Sequence, residues 1–101
     1  MMETLNQGDI LKIENIKHQI LVVSKDFFNL SGEIIGCPII QNSIEGPLHI
    51  WISAGDSEGY VQCEKLVLLD MTVRGYQKME RLPISVMLDI VDAVQGIFDY
   101  V

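Results

Sequence analysis

The spacing of apolar residues constrains the fold of this chain more than any other feature. Up to about residue 80, apolar residues occur in short runs or alternate with polar ones. Leu11, Ile13 and Ile16 bracket charged residues, an alternation typical of a half-buried strand. Residues 20–23 form a short apolar run that is typical of a strand buried on both faces. Further strands are predicted at residues 33–40, 48–53, 59–69 with a break near 64–65, and 76–81.

The pattern changes to a helical repeat after Pro83. Proline is favoured in the first turn of a helix, and Val91, Val94 and Phe98 belong to an apolar stripe at helical spacing. We therefore expect a helix over residues 83–98 that buries these three side chains. Strands followed by a terminal helix predict a mostly β protein, a small SH3-like curved barrel with a C-terminal helix, formed by a single domain over residues 1–101.

Local signals add detail to this prediction. A glycine inside a strand, Gly36, marks a bulge or a close backbone approach, and Pro38 requires an edge or a bend. Asp26 is predicted to cap a short helical turn that Gly32 closes. Within that turn, Phe27 or the next residue is expected to fill the end of the barrel.

The charge balance bears on the partner of this protein. Fourteen acidic residues oppose seven basic ones, and the net charge of −7 disfavours nucleic-acid binding unless the fold gathers a local basic patch. The candidates for that patch are Lys17, Lys25, Lys65, Arg74, Lys78 and Arg81. The alternative is that these residues are scattered and serve solubility.

Other protein classes find little support. No apolar segment is long enough to span a bilayer, and residues 1–7 lack the basic and apolar regions of a signal peptide, so we expect a cytoplasmic protein without membrane contact. Cys37 and Cys63 have no metal-binding spacing and are read as buried strand thiols, with a chance bridge or a reactive thiol as the alternative. No phosphate-binding loop, dinucleotide fingerprint or nucleophile elbow is present in the sequence.

Several segments in order resemble the MazF/PemK/Kid family of toxins. They are Gly8-Asp9 at the first strand, residues 21–24, residues 36–39, residues 59–65 and then Asp70, with a terminal helix in the expected place. The resemblance covers the chain from Gly8 to about residue 98. It implies a PemK-like barrel, a homodimer, an antitoxin protein as partner, and cleavage of single-stranded RNA.

The chemistry implied by the resemblance needs no metal or cofactor. In such toxins an Arg on the second strand and a Thr or Ser on the third act on the scissile phosphate, while the RNA 2′-hydroxyl attacks. Here His18 stands at the Arg position and Ile40 at the Thr position. An imidazole can act as acid or base, and Ser43 or Gln41 could supply the missing polar group. The candidate catalytic residues are therefore His18, Ser43 and Gln41.

The expected RNA contacts lie on lysines and on one strand. Lys17 and Lys25 flank the second strand as phosphate-binding charges, and Lys65 lies in the later matching segment. His49 and Trp51 share a strand face and would stack a base if exposed, although burial of the tryptophan under the terminal helix is the favoured prediction.

Two functions follow from this sequence. The first is a toxin that acts as an endoribonuclease with His18 in place of the family Arg. The second is a catalytically degenerate barrel that binds an antitoxin or another partner without cleaving RNA. The resemblance favours the first function, and the loss of the two family residues and the short connection between the first two strands keep the second function open as the alternative.

Overall fold

The computed structural model describes residues 4–99. Residues 1–3 and 100–101, at the two ends of the predicted domain, lie outside the described residues, as does part of the N-terminal segment that was compared with a signal peptide. Neither helix in this range is long and apolar enough to cross a bilayer. The elements in chain order are β1 (Asp9–Ile13), β2 (Ile20–Val22), α1 (Asp26–Asn29), β3 (Glu33–Ile40), β4 (His49–Ala54), β5 (Ser57–Gln62), β6 (Val67–Asp70), β7 (Tyr76–Arg81) and α2 (Ile84–Gln95).

The strands form one antiparallel sheet that curls into a half-barrel, as predicted. The strand order is β4-β5-β3-β2-β1-β7, and β6 pairs with β3. The first half of β3 pairs with β6 through Gly36, and its last two residues pair with β5. Pro38 lies between the residues of β3 that pair with β6 and those that pair with β5, so its missing N–H interrupts neither pairing. On the opposite edge of β3, Pro38 is in register with Ile20 of β2.

Gly36 has the role that the sequence indicated. A Cβ atom there would lie 2.4 Å from Ile20 Cγ2 and 3.0 Å from the Leu21 carbonyl oxygen. No side chain fits that space, so the glycine allows β2 and β3 to approach closely while β3 bends.

Alternating side chains of β1 and β2 separate the interior into two clusters. Ile10 and Leu21 pack with Met87 and Ile90 of α2 in one cluster. Leu11 belongs to the other cluster, on the opposite face of the sheet. Both strands are thus buried on both faces, which explains their apolar composition.

The two thiols are part of this interior. Cys37 and Cys63 are free and buried, which confirms the prediction of buried thiols, although Cys63 lies just beyond the end of β5. Burial raises the pKa of Cys37 to about 12 and that of Cys63 to about 11, so both remain protonated and unreactive at neutral pH.

The terminal helix begins one residue after the predicted start at about Pro83 and ends three residues before the predicted end. Pro83 is the extended residue that precedes α2, and the helix ends at Gln95. Phe98 is 70% exposed, so the prediction that it is buried was wrong. Phe98 lies three residues beyond the end of the helix, so it is not part of the helical apolar stripe. Val91 and Val94 are partly buried against the core.

The turn around α1 also differs from the prediction. Lys25 is the residue that precedes α1, and the Asp26 carboxylate instead accepts a hydrogen bond from the Gln7 amide at 2.8 Å. Of the two phenylalanines predicted to fill the barrel end, Phe27 is 77% exposed and does not do so, whereas Phe28 is half-buried. Gly32, at φ 93°, follows this turn in the left-handed conformation that was expected.

Candidate active site

A polar cleft of about 290 Å³ lies where β2 begins, β3 ends and the β4–β5 hairpin turns. Antiparallel pairing creates this juxtaposition, because the Ile39 amide donates to the Gln19 carbonyl at 2.9 Å and so joins the start of β2 to the end of β3. We call it the His18 cleft. It is lined by Lys17, His18, Gln19, Ile39, Ile40, Gln41, Asn42, Asp56, Ser57 and Glu58.

Three of the residues predicted from sequence meet in the His18 cleft. His18 is half-buried, and among residues 4–99 none forms a hydrogen bond with its imidazole. Gln41 and Lys17 are exposed side chains on the cleft wall. Ile40, at the expected position of the family Thr, lines the same cleft and is chemically inert. The histidine therefore has both ring nitrogens available for a substrate.

The charge of the cleft is mixed. Of its lining residues, Lys17 carries the one lysine or arginine charge, and Asp56 and Glu58 contribute two carboxylates from the hairpin. Carboxylates near an imidazole suit proton transfer, whereas a single lysine gives a modest attraction for phosphate. The arrangement therefore favours acid–base chemistry more than tight binding of an anion.

Ser57 is a cleft residue that the sequence did not single out. It is 2% exposed, and its hydroxyl has no hydrogen-bond partner within the described part of the chain. A serine between two acidic residues in a turn-rich segment is ordinarily exposed, so no local signal predicted its burial. The tertiary contacts of the hairpin alone place it in the cleft wall.

Ser43 lies outside the His18 cleft and belongs to a second polar cluster. His49 Nδ1 donates to the Ile44 carbonyl at 2.6 Å, and Ser43 Oγ lies 3.5 Å from the same nitrogen. His49 Nε2 lies 2.7 Å from the Glu64 carboxylate. We call Ser43, Ile44, His49 and Glu64 the His49 clip, because they tie the loop before β4 to the segment after β5.

The His49 clip is not a nucleophilic triad, although it contains Ser, His and Glu. The hydrogen bond to the Ile44 carbonyl, followed by that to Glu64, raises the pKa of His49. Burial raises the pKa of Glu64, but the hydrogen bond from His49 and other contacts lower it overall. Both ring nitrogens donate, so the imidazole has no lone pair with which to activate Ser43.

The prediction that Trp51 is buried beneath the helix was wrong. Trp51 is 49% exposed and makes an edge-to-face contact with Tyr60, with ring centroids 5.1 Å apart. The two residues are a cross-strand pair of β4 and β5. The aromatic face that could stack a base is therefore exposed, but it does not line the His18 cleft.

None of the other basic residues predicted for a patch lines the His18 cleft, which applies to Lys25, Lys65, Arg74, Lys78 and Arg81. Lys25 precedes α1, and Lys65 is exposed after β5. Lys78 and Arg81 of β7 lie 3.5 and 3.9 Å from the Asp9 carboxylate. Within residues 4–99, no group of three or more His, Cys, Asp or Glu side chains could hold a metal ion.

Comparison with known proteins decides the family. Residues 6–98 match the family described as PemK-like, MazF-like toxin of type II toxin-antitoxin system. The chain belongs to this family. The match covers both the His18 cleft and the His49 clip, and it confirms the resemblance drawn from Gly8-Asp9 and the later segments. No curated protein matches the chain.

Solved structures confirm the fold. A chain of the MazE-MazF complex of Deinococcus radiodurans (crystal form II) is 16% identical, with a TM-score of 0.86, over 99% of this chain and 100% of that chain. An endoribonuclease from a mycobacterial species is 18% identical, with a TM-score of 0.77, over 94% and 91%. A mycobacterial endoribonuclease in complex with its cognate antitoxin gives 16% identity and a TM-score of 0.76, over 96% and 99%. At these identities the similarity establishes the half-barrel with its terminal helix.

Proposed function

We propose that this protein is a toxin that cleaves single-stranded RNA without a metal ion, and that the His18 cleft is its active site. The observation that carries this proposal is the position of His18. Its unengaged imidazole lies in a polar cleft together with Gln41 and two carboxylates. The cleft also contains Ile40, so the two positions at which the family Arg and Thr are expected lie side by side.

The proposed reaction uses groups that line the cleft. A carboxylate of the hairpin, Asp56 or Glu58, accepts the proton of the RNA 2′-hydroxyl as its oxygen attacks the adjacent phosphorus. The bond from phosphorus to the 5′-oxygen breaks, and protonated His18 donates its proton to that leaving oxygen. The products are a 2′,3′-cyclic phosphate and a free 5′-hydroxyl. Lys17 and Gln41 bind the phosphate through charge and amide hydrogen bonds.

A cleavage assay with chemical analysis of the ends tests this proposal. Varied single-stranded RNAs are incubated with the purified protein in the presence of a chelator. We expect fragments with 5′-hydroxyl ends and unchanged rates when the chelator is added. Fragments with 5′-phosphate ends, or loss of cleavage with the chelator, would contradict the proposed reaction.

We further propose that the protein is a homodimer that binds an antitoxin. Large apolar side chains of α2 and the segment after it remain exposed, with Ile84 at 73%, Leu88 at 57% and Phe98 at 70%. A second copy would cover such surface. Two of the structural neighbours described above are toxin–antitoxin complexes, which supports an antitoxin as the other partner. Sedimentation at micromolar concentration that shows only a species of 11.4 kDa would contradict the dimer.

A catalytically silent barrel is the second candidate function. Two carboxylates and one lysine in the cleft, with a net charge of −7 for the chain, are unfavourable for a polyanion. If the protein binds its antitoxin but cleaves none of the varied RNAs, this second function replaces the first.

A further inference from the structure

The buried hydroxyl of Ser57 has no partner in the fold, although it lines the His18 cleft. We propose that Ser57 is an RNA-binding residue, whose Oγ–H donates a hydrogen bond to a phosphate oxygen held in the cleft. In this role it supplies the hydroxyl that Ile40 lacks. The inference rests on the proposed ribonuclease function and names a residue for it that the sequence comparison did not indicate.

The hydroxyls of Ser24 and Ser31 both have hydrogen-bond partners. Ser24 Oγ lies 2.5 Å from Asn29 Oδ1 and accepts a hydrogen bond from the Ile35 amide at 2.9 Å. Ser31 Oγ donates to the Phe28 carbonyl at 2.9 Å. A buried polar group without a partner is rare in folded proteins because it costs free energy, so the exception at Ser57 calls for a reason. A ligand that completes the hydrogen bond provides one.

The hairpin places Ser57 against the end of β3. Ser57 pairs with Ala54 at the closing turn of β4 and β5. Two residues later, a Cβ atom on Gly59 would lie 2.9 Å from Ile39 Cγ2 and 3.1 Å from the Ile40 carbonyl carbon. Gly59 also has a φ of 149°, which disfavours other residues. The glycine therefore permits a close approach that brings the start of β5 to the wall beside Ile40.

A neutral hydroxyl suits this position chemically. Lys17 provides the one lysine charge of the cleft, and the two carboxylates would repel a phosphate. An O–H donor stabilises a phosphate oxygen, and more so the charge that develops on it in the transition state. The serine oxygen follows a single rotatable bond, so a rotamer change redirects it without backbone movement. Ser43 cannot take this role, because it lies in the His49 clip.

The test compares Ser57→Ala with Ser53→Ala, an exposed serine on the same hairpin. Cleavage is measured on an RNA that the wild type cuts, and binding is measured on random-sequence single-stranded RNA. We expect Ser57→Ala to lower kcat by about 10²-fold, with a smaller change in KM, and Ser53→Ala to match the wild type. Ser57→Cys replaces the hydroxyl by a somewhat larger group that is a weaker donor, so its rate should fall between the two.

Thermal unfolding separates binding from folding. Removal of an unpartnered hydroxyl leaves the Tm of Ser57→Ala equal to or above that of the wild type, whereas a lower Tm would show a structural hydroxyl and overturn the inference. An active wild type with equally active Ser57→Ala would overturn it as well, and would leave the ribonuclease proposal intact. A wild type that neither binds nor cleaves RNA would overturn both.

Discussion

The two histidines of this protein occupy opposite chemical situations. His18 lies in a cleft with no hydrogen bond from the described residues to its ring, whereas His49 is bound at both nitrogens in the His49 clip. The same side chain thus serves as a candidate acid in one region and as a structural tie in the other. A histidine can therefore mark a reactive site only where its ring nitrogens are free of hydrogen bonds to the fold, and its presence in the sequence alone does not show this.

The largest expected effect is on cleavage by histidine variants. Since His18 is the proposed proton donor, His18→Ala should lower the cleavage rate by about 10²–10⁴-fold. His49→Ala is the matched control, because the chain has two histidines and the second lies outside the cleft. Single-turnover rates on the same RNA measure both. Equal rates for His18→Ala and the wild type would show that His18 is not the proton donor and would point to Lys17 or Gln41.

The pH profile of cleavage should sharpen the assignment. The proposed reaction requires a proton donor and a proton acceptor at the same time. The cleavage rate should therefore be highest at an intermediate pH and fall on both sides of it. His49→Ala should retain this bell-shaped profile. A profile that loses one side in His49→Ala would mean that His49, and not His18, is the proton donor.

Lysine variants should change RNA binding by a smaller factor than the histidine variants change cleavage, and the change should be confined to the lysine of the His18 cleft. Lys17 lines the His18 cleft and Lys65 does not. Lys17→Ala should weaken RNA binding by about threefold to tenfold and reduce the salt slope by about 0.7, the value for one phosphate contact on a single strand. Lys65→Ala should leave both quantities close to those of the wild type. Binding titrations at a series of salt concentrations decide the matter, and equal slopes would remove Lys17 from the RNA path.

The smallest expected effect concerns the stability provided by the His49 clip. A raised pKa in the folded state means that His49 stabilises the fold fully below its unfolded value of 6.5, and that this contribution is lost as pH rises through the folded value. Glu64, with a lowered pKa, contributes above its unfolded value of 4.5. The Tm difference between wild type and His49→Ala should therefore be largest between these two values and shrink in alkali.

The Tm difference between the wild type and His49→Ala should remain small. The His49 side chain is 25% exposed, and solvent screens its interaction with Glu64. Glu64→Gln serves as the second arm and should show the same loss of stability between pH 4.5 and 6.5. A constant Tm difference from acid to alkali would mean that the clip contributes through packing rather than charge.

Local patterns predicted the elements that depend on local preference. The limits of β3 and β7 agree with the sequence prediction, because each apolar or alternating run is bounded by turn formers. The turn after β1 contains Asn15 with a φ of 66°, a conformation that asparagine tolerates better than most residues. The end of α2 and the exposure of Phe98 were not predicted correctly, because they do not depend on local preference alone. An apolar stripe shows which face of a helix packs on the core, but it does not show at which residue the helix ends.

The sequence by itself determined the strand pattern, the terminal helix, the family and the position of His18, since each depends on the order of residues along the chain. Only the tertiary structure decided that Ser57 is buried in the cleft wall, that Trp51 is exposed, and that His49 is tied to Glu64. These properties depend on contacts between segments distant in sequence. The pairing of β3 with β5 and the close approach at Gly59 create those contacts, and no local preference encodes what a side chain will meet there.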